Sequence, residues 1–150
     1  DTTPPVVTPS SDAIACLWPP NHWYVCLDDS MLSVAVRDNC PGEVKWAIAG
    51  CASDQPDDAN GVGDGQTVND CVILADGSGL CARSERDGVV PEGRHYGVAV
   101  VAVDACGNRS APTVVGTLYV PHDQSPRERE CLNPTKVGCR PNEPIPCPEP

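Results

Sequence analysis

The loop from Asp54 to Asp70 holds the densest set of side chains suited to chemistry in this chain. Seven Asp and Asn residues lie among glycines there, so hard oxygen ligands sit on a backbone that bends easily. Calcium takes six to eight such oxygens, and the spacing is not that of an EF-hand. The same composition also suits an ordinary solvated, turn-rich loop, so both interpretations stay open. The candidate calcium ligands in this loop are Asp54, Asp57, Asp58, Asn60, Asp64 and Asp70.

The ten cysteines favour disulfides over a zinc site. No C-x2-C pair occurs, and the shortest spacing, from Cys131 to Cys139, is already eight residues. So many thiols predict an oxidising compartment and therefore a secreted or cell-surface protein. Seven cysteines precede residue 121 and three follow it, so complete pairing needs an odd number of bridges between these two parts, within one chain or between two.

Catalytic chemistry finds little support in the sequence, so the chain is not expected to be an enzyme. His22, His95 and His122 are scattered, and no Ser or Cys stands with a His and an acid in a recognisable motif. No catalytic residue is therefore assigned.

The charge balance excludes two classes of partner. A formal net charge of −11 repels nucleic-acid phosphates and anionic lipid surfaces.

No stretch approaches the roughly 18 continuous apolar residues of a membrane span, and no basic and apolar leader is seen. The chain begins at Asp1 without Met and is expected to be mature material or a fragment.

The sequence predicts that short β-strands position these residues. Alternation is clearest where Tyr96, Val98, Val100 and Ala102 form one inward row. No window shows a sustained helical period, and seven or eight strands with punctuating turns predict a β-sandwich. The apolar runs are Ala13 to Trp18, Trp23 to Leu27, Met31 to Arg37, Glu43 to Ala49, Cys71 to Ala75, Leu80 to Arg83, His95 to Val103 and Thr113 to Val120.

Domain boundaries follow from composition. Residues 1–120 are expected to form one sandwich, in which the Pro- and Thr-rich residues 1–11 make an extended lead-in or edge strand. Residues 121–150 hold many prolines, three cysteines and few apolar residues. They predict an extended arm of polyproline character that is stapled to the domain or reaches a neighbour.

The run from Pro91 to Pro112 resembles the late strands of fibronectin type III and immunoglobulin-like domains, with Tyr96 as the candidate tyrosine corner. More of the chain, about residues 1–124, is similar to a bacterial immunoglobulin-like repeat related to the HYR module of secreted and surface proteins. The pieces that carry this resemblance, in order, are DTTPP (1–5), LWPPNH (17–22), DNC (38–40), SDQPDDANGVGDGQTVND (53–70), RSER (83–86), DACGN (104–108) and VPHDQ (120–124).

The resemblance implies an all-β, immunoglobulin-like or fibronectin III-like antiparallel β-sandwich that is exposed and modular, and it names no catalytic residue. Glu85 and Asp104 match acidic positions of the repeat, which adds them to the calcium ligands; Asp64, Asp70, Glu85 and Asp104 form the preferred set. The cysteines at 16, 26, 51, 71 and 81 and the arm depart from the repeat, so no disulfide plan is carried over.

The disulfide pairing is predicted from the expected sandwich and from local spacing. Cys40 and Cys106 follow strands whose ends meet in an immunoglobulin-like domain, so they are paired first. Local turns then suggest Cys16 with Cys26 and Cys71 with Cys81. This leaves Cys51 for the arm, which holds Cys131, Cys139 and Cys147.

Two functions are weighed from these features. The first is a structural or adhesive extracellular module, a subunit of a surface filament or polymer assembled through its extended termini. Its partners are then copies of itself or neighbouring domains. The alternative is a carbohydrate- or ligand-binding accessory module that uses Trp18 and Trp23 together with the acidic loop.

Overall fold

The chain folds almost entirely into β-strands in the computed structural model, which describes residues 1–55, 70–74, 76–123 and 131–132. One short 3-10 turn, Asp29–Met31, interrupts the strands of this part. The strands are β1 (Val6–Val7), β2 (Ala13–Cys16), β3 (Tyr24–Asp28), β4 (Val36–Arg37), β5 (Lys45–Ser53), β6 (Cys71–Ile73), β7 (Gly79–Arg83), β8 (Arg94–Val103) and β9 (Thr113–Val120).

Three sheets organise the described strands. A four-stranded sheet has the order β2-β9-β8-β5, a three-stranded sheet has the order β3-β7-β6, and β1 pairs with β4. All pairs are antiparallel except β2 with β9, which run parallel. This pair departs from the purely antiparallel expectation.

The apolar core is shared by the two larger sheets. It joins Val98 and Val100 of β8 and Leu118 of β9 to Leu80 of β7 and Val25 of β3. The inward row predicted on β8 is confirmed, because Tyr96, Val98, Val100 and Ala102 are all fully buried. Alternate residues of a strand point to one face, so this row was visible in the sequence.

The predicted strand from Met31 to Arg37 is mostly wrong. Asp28 accepts a hydrogen bond from the Ser30 amide and starts the 3-10 turn, and only Val36 and Arg37 pair as a strand. The alternation nevertheless holds, since Leu32, Val34 and Val36 pack against the core. The pattern therefore reported the buried face correctly but not the hydrogen bonding.

Segments near both ends of the described chain form backbone pairs within the domain itself. Val7 of β1 pairs with Val36 and is buried, so the lead-in serves as an edge strand. At the other end, the Leu132 amide donates to Cys16 (2.8 Å), and the Leu132 carbonyl accepts from Trp18 (3.1 Å). Leu132 thus lies alongside Leu17 in a parallel bridge and packs against the core.

Four disulfides join eight of the ten cysteines, and the remaining two, Cys139 and Cys147, lie outside the described residues. The predicted Cys40–Cys106 bridge is confirmed. The other predicted pairings are wrong. The observed bridges are Cys16–Cys131, Cys26–Cys81 and Cys51–Cys71, so the arm is joined to Cys16 and not to Cys51.

Strand register explains why the local pairing of Cys71 with Cys81 fails. In the β6–β7 pair, Cys71 lies opposite Ala82 and Cys81 lies opposite Val72. Residues directly opposite share a face, so the one-residue offset sends the two thiols to opposite faces. Cys81 instead lies directly opposite Cys26 across the β3–β7 pair. Cys71 bridges to Cys51 and joins the two larger sheets.

The prediction that Tyr96 is buried with its hydroxyl bonded to backbone is confirmed: Tyr96 is fully buried, and its hydroxyl donates to the Arg83 carbonyl at 2.9 Å. We expect Tyr96→Phe to lower the free energy of unfolding by about 1 kcal/mol, because it leaves that carbonyl without its buried donor. Urea unfolding of both proteins measures the difference. Tyr119→Phe, on the neighbouring strand, is the matched control. A Tyr96→Phe variant as stable as the parent would contradict a stabilising role for the hydroxyl.

Candidate functional site

The most concentrated set of charged groups in the described chain is a buried network next to the core. Asp70, Arg83, Glu85 and Arg94 are each at most 1% exposed. Arg94 donates through Nη2 to Asp70 Oδ2 (2.8 Å) and through Nη1 to Glu85 Oε1 (3.2 Å). Nε of Arg83 lies 3.5 Å from Asp70 Oδ1. Two cations thus face two anions inside the protein, which is the condition under which buried charges are tolerated.

Aromatic rings and further hydrogen bonds complete this network. The Arg83 guanidinium lies over the Tyr24 ring at 4.0 Å, and that of Arg94 lies over Tyr96 at 4.8 Å. Arg94 also donates through Nε to the Ser53 hydroxyl (2.7 Å). Burial lowers the pKa of Arg94, but its interactions with Tyr96 and the two carboxylates outweigh burial, so the pKa lies above its ordinary value. Arg94 therefore stays charged in the interior.

Arg94 holds both ends of the acidic loop together. Its Nη2 donates to the Gln55 carbonyl (3.1 Å) as well as to Asp70, and these two residues flank positions 56–69. The Gln55 side chain in turn donates to the Gly93 carbonyl (3.0 Å) and accepts from the Asp87 amide (2.7 Å). The base of the loop is thus fixed by buried polar contacts.

His22 connects the network to the turn that follows Pro20. Its Nδ1 lies 3.0 Å from Glu85 Oε2, and its carbonyl accepts from Arg83 Nη1 (2.9 Å). The backbone of His22 has a φ of 68°, a left-handed conformation that costs a non-glycine residue on the order of 1 kcal/mol. The His22 amide also donates to the Ser84 carbonyl (3.0 Å), so three contacts hold this strained residue.

The structure divides the residues predicted to bind calcium. Asp70 and Glu85 each accept a hydrogen bond from Arg94 within the buried network. Asp54 is exposed, accepts from the His95 amide (2.8 Å) and pairs with its ring (2.9 Å), which stacks on Tyr119. Four further predicted ligands, Asp57, Asp58, Asn60 and Asp64, lie outside the described residues.

Asp104 lies far from this group. It follows the last residue of β8, whereas Asp54 contacts His95 near the strand's beginning. Ten extended residues span roughly 30 Å, so one ion cannot bind both ends of the strand. The predicted set therefore cannot form a single site that includes Asp104.

Asp104 instead joins a second cluster at the end of β8, with Asp1 and Asp38. Ligand oxygens of the three carboxylates lie within 4.8 Å of one another, beside the Cys40–Cys106 bridge. Burial raises the pKa of Asp104, but hydrogen bonds from Asn108, Cys106 and Gly107 outweigh it, so the pKa lies below its ordinary value. The sequence signal for this cluster is the aspartate in each of the DTTPP, DNC and DACGN pieces, of which only Asp104 is among the predicted ligands.

The aromatic residues of the ligand-binding alternative are only partly accessible. Trp18 and Trp23 are both half-buried, and a cis peptide bond joins Trp18 to Pro19. A separate shallow groove of about 470 Å³ lies along the edge strand β5. Its walls include Lys45, Trp46, Leu74, Val101 and Arg109.

No family model matches this chain, and neither the curated proteins nor the solved structures searched contain a match. Within the described residues, none of the helical structure is long and apolar enough to cross a membrane.

Proposed function

We propose that this protein is an extracellular, immunoglobulin-like module with a structural or adhesive role. The strand order supports this class, because a four-stranded sheet packs on a three-stranded sheet and β2 runs beside the last strand β9. The buried Tyr96 and the Cys40–Cys106 bridge are further features expected of such domains. Four disulfides favour an oxidising setting.

The burial of the charged network is the observation that best supports a structural role. Asp70, Glu85, Arg83 and Arg94 are buried and paired with one another, so their charges act on the fold and not on a bound molecule. Groups that react with a substrate need access to it. The network therefore suits a rigid scaffold that fixes Gln55 and Asp70, the two ends of the acidic loop.

Assembly through the arm is the second part of the proposal. All seven cysteines before residue 121 are bridged, which leaves two of ten, Cys139 and Cys147, both in the arm. A covalent link between copies that leaves the four bridges intact must then pass through these two residues. The lead-in is already used inside its own domain, so the arm is the better candidate for reaching a neighbour.

The test compares the native protein with Cys139→Ala/Cys147→Ala by light scattering and non-reducing electrophoresis. We expect covalent multimers of the native protein, which mild reduction converts to monomers, and only monomers of the variant. The matched control is Cys26→Ala/Cys81→Ala, which removes a bridge within one sheet and is expected to leave the multimers in place.

A native protein that is monomeric with and without reductant would contradict assembly through the arm. The carbohydrate- or ligand-binding alternative would then be favoured, with the groove along β5 as the surface to probe. A glycan array, followed by Trp46→Ala and Trp18→Ala variants, distinguishes the groove from the Trp18 and Trp23 surface.

A further inference from the structure

We propose that Asp1, Asp38 and Asp104 form a calcium site at the end of the fold where β8 ends. The site is separate from the acidic loop and does not depend on the proposed role of the module. Its three carboxylates come from the beginning of the chain, from the segment after β4 and from the segment after β8.

The spacing of the oxygens fits a shared ion. Calcium binds oxygen at about 2.3–2.6 Å, so two ligands on one ion lie at most about 5 Å apart. The ligand atoms of the three aspartates are within 4.8 Å of one another, which satisfies this limit without any movement of the backbone.

An unsatisfied oxygen points to a missing ligand. Oδ1 of Asp38 is excluded from solvent and accepts no hydrogen bond, whereas Oδ2 accepts from the Cys40 amide at 3.0 Å. A buried carboxylate oxygen without a partner is strongly unfavourable in a native protein. Among the described residues, none of the three aspartate side chains pairs with a Lys, Arg or His. A divalent cation would supply both the missing contact and the missing positive charge.

A disulfide fixes two of the ligands side by side. Asp38 and Asp104 each stand two residues before a cysteine of the Cys40–Cys106 bridge, and each accepts a hydrogen bond from that cysteine's amide. Asn108 then donates to Asp104 Oδ2 (2.9 Å) and to the Asp1 carbonyl (3.2 Å), which connects the third segment. The carboxylates are therefore held in place before an ion arrives, so binding orders little additional chain.

The donor set selects the kind of ion. Carboxylates are hard ligands that suit calcium, and the nearby sulfurs are oxidised in a disulfide and cannot act as the thiolates that favour zinc. Extracellular calcium modules bind with dissociation constants of about 0.1–1 mM, and three carboxylates without a complete protein cage suit this range.

The experiment uses the full chain, freed of metal with EDTA and then dialysed, and titrates it with calcium chloride in a calorimeter. We expect one ion per chain at these three residues and a melting temperature that rises with calcium. Asp38→Asn is the decisive variant because asparagine keeps the shape and one oxygen acceptor. It should weaken binding at this site by about tenfold or more and largely abolish the calcium-dependent rise in melting temperature.

The same variant also tests whether the Asp38 carboxylate lowers the melting temperature when no metal is bound. In EDTA, Asp38→Asn removes an unpaired negative charge and is expected to melt at the same temperature as the native protein or higher. Asp29→Asn, an exposed aspartate of the 3-10 turn, is the control for lost charge. Asp64→Asn reports the competing acidic loop and should leave this binding unchanged.

Three results would overturn the site. The first is no binding heat and no change in melting up to about 10 mM calcium. The second is calcium binding that survives Asp38→Asn but disappears with Asp64→Asn, which would place the ion in the acidic loop. The third is an Asp38→Asn variant destabilised equally in calcium and in EDTA, which would make Asp38 a structural residue only. None of these results bears on assembly through Cys139 and Cys147.

Discussion

Replacement of Arg94 by methionine is expected to destabilise the protein by about 3–5 kcal/mol, the cost typical of removing one partner from a buried ion pair. Methionine fills much of the same space, so little of the loss comes from an empty cavity. The cost arises because Asp70 and Glu85 lose their shared cation inside the protein, and because Gln55 and Ser53 lose a donor. Urea unfolding followed by circular dichroism measures the difference.

Two further variants establish the cause of this loss. Lys45→Met removes an exposed cation from β5 and should change stability by no more than about 0.5 kcal/mol. With Arg94→Met, the network keeps one arginine, Arg83, and two carboxylates; addition of Asp70→Asn leaves one cation and one anion and should recover part of the loss. If the double variant is less stable than the sum of the two single changes predicts, the uncompensated charge is not the source of the effect.

Removal of the Cys51–Cys71 bridge, as Cys51→Ala/Cys71→Ala, is expected to cost about 3 kcal/mol. The bridge closes a segment with a sequence separation of 20, and the chain-entropy estimate for a loop of that length is about 3 kcal/mol. No other cysteine lies between positions 51 and 71, so other bridges do not shorten this loop. The bridge also joins β5 of one sheet to β6 of the other.

Denaturant unfolding under non-reducing conditions measures this cost. Ala52→Ser, a small change at the exposed neighbour of Cys51, is the control and should be within about 0.5 kcal/mol of the native protein. A loss below about 1 kcal/mol for the bridge variant would mean that packing alone holds β6 against β5.

The sequence alone determined the features that depend on residues close together in the chain. Period-two alternation identified the buried face of β8 and even that of the irregular segment from Leu32 to Val36, because neighbouring side chains of an extended backbone point to opposite faces. Alternation also placed Tyr96 on the buried face, whereas the hydrogen bond of its hydroxyl to backbone was expected from the resemblance to immunoglobulin-like domains. The Cys40–Cys106 pairing is different, because these residues are 66 positions apart and were paired from the expected immunoglobulin-like sandwich, in which the ends of their strands meet.

Only the tertiary structure decided which distant groups meet. Strand register directs Cys71 away from Cys81 and towards Cys51, and register is a relation between strands that neither strand encodes alone. The same limit applies to charge. Asp70 and Asp104 look alike in the sequence, yet one pairs with Arg94 in the interior and the other lies beside Asp1 and Asp38 with no such cation. A carboxylate's role depends on the groups within a few ångströms of it, because the low dielectric of the interior makes those contacts dominate. Which groups lie that close is determined by the folded structure.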